Sequence, residues 1–206
     1  MTETQYPDDE DRPEPVDPAA VPDWEDEYLD RVSDRLMFNY DLERDYRAAG
    51  ERFDMYGEFR IENKKQFLHE SINWANHEAR EHVFVRRTDH VSVADLERLV
   101  DLGHTVADDW IEANEEHYGT DFTFVVVASE IPDDVRSFVS TFADRTLIKY
   151  GYYGQYEIHL AVVAPDREDA VQSKNTDIGN AFALWGDVPD LDGGGLLTRL
   201  IRRITH

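Results

Sequence analysis

YDLERDYRAAGERFDMYGEFRI, residues 40–61, is the stretch whose pattern decides the fold. Its apolar side chains take alternate positions: Tyr40, Leu42 and Tyr46 on one side of Ala49-Gly50, and Phe53, Met55, Phe59 and Ile61 on the other. A period of two is the mark of a β-strand. A two-residue turn at Ala49–Gly50 sets Tyr46 opposite Phe53 and Tyr40 opposite Phe59, with all four on one face. A slip by one residue would turn each strand's apolar set to solvent, so burial fixes the register. A second turn near Asn63–Lys64 is expected to add Leu68, Ile72 and Trp74 to that face as a third strand. A fourth strand, about His82–Arg87, is expected after a turn at His77–Ala79.

Upstream, Trp24, Tyr28, Val32 and Leu36 recur every four residues, an amphipathic helix opened by Asp23. Downstream, Ser92 caps a long helix carrying Val93, Leu96, Leu99, Val100, Val106, Trp110 and Ile111. Phe122–Ala128 is almost continuously apolar and reads as a strand buried on both faces. Pro132 starts a short helix through about Ala143. Leu147–Tyr150 and Tyr156–Val163 form a hairpin around Gly151-Tyr-Tyr-Gly154, and a short helix near Ile178–Trp185 ends the core. This order predicts an α+β fold with a mainly antiparallel sheet, a meander followed by a strand, a helix and a hairpin. Helices are expected on one face, with water on the other.

The flanks differ from this core. Residues 1–22 hold five prolines and seven acids, too little apolar surface to fold, so a disordered acidic tail is expected. Residues 23–185 read as one domain and 186–195 as a Pro/Gly/Asp linker. In residues 196–206, Leu196, Leu197, Leu200, Ile201 and Ile204 make one helical stripe, with Arg199, Arg202 and Arg203 off it. No acid occurs after Asp192. This basic segment would dock on its own acidic domain, on a partner protein or second copy, or on an anionic membrane.

Charge sets the environment. The 206 residues carry a net charge of −24, with 26 aspartates, 19 glutamates and only four lysines. Such a surface repels itself in dilute buffer, and at about 1 M salt a Debye length of about 3 Å removes most of that repulsion. The balance resembles the acidic proteins of halophilic archaea. Free duplex DNA is an unsuitable partner, because phosphate affinity comes from clustered Lys and Arg. With no cysteine, disulfides, thiolate metal sites and cysteine nucleophiles are excluded. No apolar run approaches the ~18–20 residues that span a bilayer, and no basic, apolar leader opens the chain. A cytoplasmic setting is expected.

Motifs with chemistry are sparse. His77 and His82 are five apart, not the four that put two imidazoles on one helical face, so no metal site is expected there. No phosphate loop or dinucleotide fingerprint occurs, and no cofactor is expected. Asp54 with Glu62-Asn-Lys64 is similar to the pattern of the restriction-endonuclease-like nucleases, whose core also runs helix, three strands, helix, strand. On one continuous strand, however, Asp54 and Glu62 lie roughly 26 Å apart, whereas carboxylates sharing a metal sit within a few ångströms. On the polar sheet face the expected register pairs Glu58 with His69, Tyr56 with Ser71 and Asp54 with Asn73, a carboxylate–imidazole pair suited to acid–base work. Gln155, Glu157 and His159 alternate on one strand in the same way. Tyr152 and Tyr153, with Gln155, form a candidate ring-stacking turn.

Tyr40-Asp-Leu-Glu43, Phe53-Asp-Met-Tyr-Gly57 and Glu81-His-Val-Phe-Val85 resemble an uncharacterised domain family of haloarchaea and some bacteria, over about residues 24–165. That resemblance implies a single domain and a salt-rich habitat, and it carries no activity. With no nucleophile or cofactor constellation, the chain reads as a non-enzymatic interaction or regulatory domain. The alternative is a hydrolase or metal-dependent nuclease-like enzyme using the polar sheet face.

Overall fold

A computed structural model describes residues 22–59, 78–115 and 117–186. Strand β1 (Tyr40–Ala48) turns into β2 (Glu51–Phe59) at Ala49–Gly50. Both turn residues have positive φ, 45° and 85°, as a two-residue hairpin with the twist of its strands requires. Tyr46 faces Phe53 and Tyr40 faces Phe59 across the pair, as the alternation predicts. The shared face does not persist. Phe53 and Tyr56, three residues apart, join one core cluster, while Met55 and Tyr40 join the other. The alternation breaks beside Asp45, which has a φ of 55°.

Among the described residues the next strand is β3 (Glu78–Arg87), which pairs antiparallel with β2. Glu58 therefore faces His82, and Tyr56 faces Phe84. The expected partners His69 and Ser71, like Leu68, Ile72 and Trp74, lie outside the described residues. Helix α1 (Glu27–Leu36) precedes the sheet and is capped by Asp26 rather than Asp23. Helix α2 (Val93–Trp110) opens on Ser92 in a reciprocal capping box with Asp95. It leads to β4 (His117–Val127), which runs parallel to β3. Then come α3 (Asp133–Thr141), β5 (Asp144–Leu147), β6 (Gln155–Ala164), β7 (Asp169–Gln172) and α4 (Gly179–Phe182). β5 and β6 form a hairpin, as expected, but its first strand is Asp144–Leu147 rather than Leu147–Tyr150, because Ile148–Gly151 winds into a 3-10 turn; β6 lies parallel to β4.

The sheet order is β1-β2-β3-β4-β6-β5, with β7 on β6. The fold is α+β, but the sheet is mixed rather than mainly antiparallel, because its three central strands run parallel. The cause is visible in β4 and β6, which are apolar on both sides. Phe122, Phe124, Ile158 and Leu160 pack with Leu96, Leu99 and Val106 of α2 and Val135 of α3. Val125, Val127, Ala161 and Val163 pack with Leu29, Val32 and Leu36 of α1 and Phe182 of α4. Helices thus cover both faces, not one, and the face expected to be wet is largely dry. Tyr28 Oη donates to the Phe182 carbonyl (2.6 Å) and Arg35 to those of Asn180 and Ala183, tying α1 to α4. Among the described residues no helix is long and apolar enough to cross a membrane.

Candidate functional site

Parallel strands in register put residues of equal height side by side. Glu81 of β3 pairs with Asp121 of β4, Asp121 with Glu157 of β6, and Glu157 with Arg145 of β5. The result is a row of three carboxylates ending in a guanidinium, near the amino ends of the parallel strands. Two residues further along, Val83, Thr123 and His159 form the next row on the same face. Beyond it the face becomes apolar and packs on α1 and α4.

His159 is 4% exposed, as is Glu157. Its Nε2 lies 3.7 Å from Glu157 Oε2 and 3.9 Å from Asp121 Oδ1. Both distances exceed a short hydrogen bond, so among the described residues Nε2 meets the two carboxylates as an ion pair rather than through a well-formed hydrogen bond. The neighbouring hydroxyl of Thr123, 1% exposed, has no hydrogen-bond partner among the described residues. A buried imidazole nitrogen in ion-pair range of two carboxylates, but short of a well-formed hydrogen bond to either, leaves room for a group that would draw the three together.

The surroundings hold the acids in place. Tyr40 Oη donates to Glu81 Oε1 (2.9 Å) and Gln155 Nε2 to Glu157 Oε1 (3.3 Å), while Arg145 Nε stands 3.9 Å from Glu157. Burial pushes the Glu81 carboxyl up to about 7, and repulsion from Asp121 adds to it. Burial alone would lower His159, yet Asp121, Glu157 and Glu81 outweigh it and hold the imidazole above its ordinary range. Tyr40 is raised well above the usual phenol range by burial and by Glu81.

One ligand atom each from Asp121, Glu157 and His159 lie within 4.8 Å of one another. Ligands held at about 2.1 Å around one cation stand roughly 3–3.5 Å apart, so the two His159 contacts, at 3.7 and 3.9 Å, need a contraction of only a few tenths, within a cluster whose ligand atoms all lie within 4.8 Å. One imidazole with carboxylates suits Zn²⁺, Mn²⁺ or Fe²⁺.

Sequence spacing picks out Glu157 and His159, and the structure joins them to Asp121 and Glu81, which sequence reasoning missed. Those two come from other strands, and only the parallel register brings them level. Glu58 is exposed and its supposed partner His69 lies outside the described residues. Asp54 accepts from the Arg87 backbone N–H (2.7 Å), while Glu62 and Lys64 are not among the described residues. The turn after β5 carries Tyr150 and Tyr152, 99% and 87% exposed, whereas Tyr153 is half-buried, its carbonyl bonded to His117. Gln155 serves Glu157 rather than a ring. Residues Leu197, Arg199, Leu200, Ile201, Arg202 and Arg203 lie outside the described residues.

A separate cavity of about 620 Å³ opens where β3 and β6 end, lined by Tyr28, Arg87, Pro165 and Trp185 among others. Six residues along β3 separate Glu81 from Arg87, about 20 Å, so this cavity is not the carboxylate row.

Fold and row together define an α+β domain with a carboxylate–imidazole centre on its central parallel strands. Residues 25–184 match the model of the Domain of unknown function (DUF8052), and the chain belongs to that family. No curated protein matches the chain, and no solved structure does.

Proposed function

We propose that the chain is a divalent-cation-dependent hydrolase whose ion is held by Asp121, Glu157 and His159. The observation that carries this reading is the cluster of Asp121, Glu157 and buried His159, whose ligand atoms lie within 4.8 Å of one another, with Nε2 at 3.7 and 3.9 Å from the two carboxylates. A cation would draw the three together and offset the charge of the row. Such an ion, held by Asp121, Glu157 and His159, would supply a water acidified towards neutral pH. Glu81, next in the row, would take that proton and return it to the leaving oxygen of an ester as the water oxygen bonds to the ester's electrophilic centre. Arg145, 3.9 Å from Glu157 and with its side chain mostly exposed, closes the row with a positive charge.

The wider setting belongs to the same reading. A net charge of −24 with four lysines supports work in concentrated salt, where carboxylates are screened.

The test is thermal melting of the purified chain with and without Zn²⁺, Mn²⁺ and Mg²⁺, alongside a chromogenic ester assay. A ligand at 100 times its Kd stabilises by about 2.7 kcal/mol. The expected result is a clear rise in Tm with Zn²⁺ or Mn²⁺, lost in Asp121→Asn and His159→Asn, with cation-dependent turnover. Melting unchanged by any of the three ions would refute the proposal.

A further inference from the structure

The cavity at the ends of β3 and β6 has a chemistry of its own. Its rim is acidic, with Asp26, Glu27, Asp166 and Glu168 against Arg31 and Arg87. Arg87 is already engaged, its guanidinium 2.6 Å from Asp26 and stacked over the Tyr28 ring. The apolar lining comes from Tyr28, Pro165, Leu184 and Trp185. Two of those, Leu184 and Trp185, are among the last residues described, so the chain leaves the described fold at the lip of this cavity.

The C-terminal sequence beyond that point is complementary to the cavity. Residues 187–195 include three consecutive glycines, and residues 196–206 carry five aliphatic side chains at helical spacing with three arginines. These arginines form the most basic run in a chain that is otherwise strongly acidic. Treated as a chain of nine residues, this Pro/Gly/Asp stretch would have a root-mean-square span of roughly 15–20 Å, enough to reach back across a cavity at its own root. Tethering at that range makes the effective concentration about millimolar, so a weak contact suffices.

We propose that residues 196–206 dock intramolecularly in this cavity. Arg199, Arg202 and Arg203 then face Asp26, Glu27, Asp166 and Glu168, and the Leu/Ile stripe lies against Tyr28, Leu184 and Trp185. The occupant is this chain's own segment for two reasons. The linker delivers it there, and its charge is opposite to that of the rim. The inference does not depend on the cation centre, which lies at the other end of the parallel strands.

Hydrogen–deuterium exchange read by mass spectrometry tests it, comparing the full chain with a version ending at Asp192. Truncation is expected to raise exchange in 26–31 and 182–186 while leaving β4 unchanged. A synthetic peptide of residues 193–206 added in trans is expected to restore protection, and a peptide with all three arginines changed to glutamate is not. Sedimentation of the full chain is expected to give a monomer. Identical exchange in the two forms would overturn the proposal. So would a dimer that dissociates on truncation, which would seat the segment on a second copy. Protection that appears only with phosphatidylserine vesicles would overturn it in favour of a membrane.

Discussion

Glu81 and His82 are neighbours in sequence, point to opposite faces of β3, and are moved by burial in opposite directions. Glu81 is pushed up to about 7 by burial and by Asp121, against its ordinary 4.5. His82 is pushed down to about 4 by burial and then by Arg80, against its ordinary 6.5, while its Nδ1 shares a hydrogen bond with the Tyr56 hydroxyl at 2.8 Å. The folded state keeps a proton on Glu81 that the unfolded chain has released, so that contribution is full below about 4.5 and lost as pH rises through 7. The folded state refuses a proton on His82, so that contribution is full above about 6.5 and lost as pH falls towards 4. Between these limits the two slopes oppose one another. In urea unfolding of the metal-free chain at pH 5 and pH 7, Glu81→Gln is expected to make stability rise more steeply with pH than in the wild type. His82→Asn, which keeps a hydrogen-bond partner for Tyr56, is expected to tilt it the other way. Wild-type slopes in both variants would remove this account of the two residues. Glycines make a second contrast. Gly50→Ala meets no atom within 4 Å, so only its left-handed backbone is at stake, about 1–2 kcal/mol. Gly154→Ala has the same backbone cost and would also put a Cβ 2.3 Å from the Tyr118 carbonyl oxygen. Denaturant midpoints should therefore fall further for Gly154→Ala than for Gly50→Ala.

At the scale of elements, local signals were readable and distant pairings were not. The β1–β2 register was legible because a two-residue turn and a burial pattern both specify it. The start of α2 was legible because Ser92 and Asp95 form a cap that depends on four consecutive residues. Loss of that cap in Ser92→Ala should lower stability by about 1 kcal/mol, read from chemical denaturation. The parallel pairing of β3, β4 and β6 was not legible, since it is decided by an 18-residue helix crossing over and by which apolar face it covers. One clue stood in the sequence: a strand apolar on both faces, Phe122–Ala128, belongs in a parallel, doubly covered sheet. The candidate site was half legible for the same reason. Glu157 and His159 share a strand and a period, whereas Asp121 and Glu81 reach them only through register. Gly103 of α2 reports on the covering helix, because a Cβ there would lie 2.9 Å from Ile158 Cδ1 and Phe124 Cε2. Gly103→Ala gains helix propensity of about 1 kcal/mol but overpacks a buried contact at about 1–3 kcal/mol. The expected outcome is a lower, not higher, melting temperature.

Across the whole molecule, two kinds of negative charge do different work. Most carboxylates among the described residues lie on the surface, where crowding at −24 opposes compactness and salt relieves it. Circular dichroism melts are expected to rise in Tm between about 10 mM and 1 M NaCl, as the Debye length falls from about 30 to 3 Å. The row Glu81–Asp121–Glu157 is of the other kind, gathered on the central strands beside a buried imidazole, where salt screens little. The two kinds separate experimentally: surface charge responds to any salt, the row to a specific ion. Isothermal titration of Zn²⁺ and Mn²⁺ into the full chain in 1 M NaCl measures this most directly. One ion per chain is expected, with affinity falling at least tenfold in His159→Asn and unchanged in the exposed Glu58→Gln. Absence of a saturable site in the wild type, or equal binding by the His159 variant, would contradict the assignment of this centre.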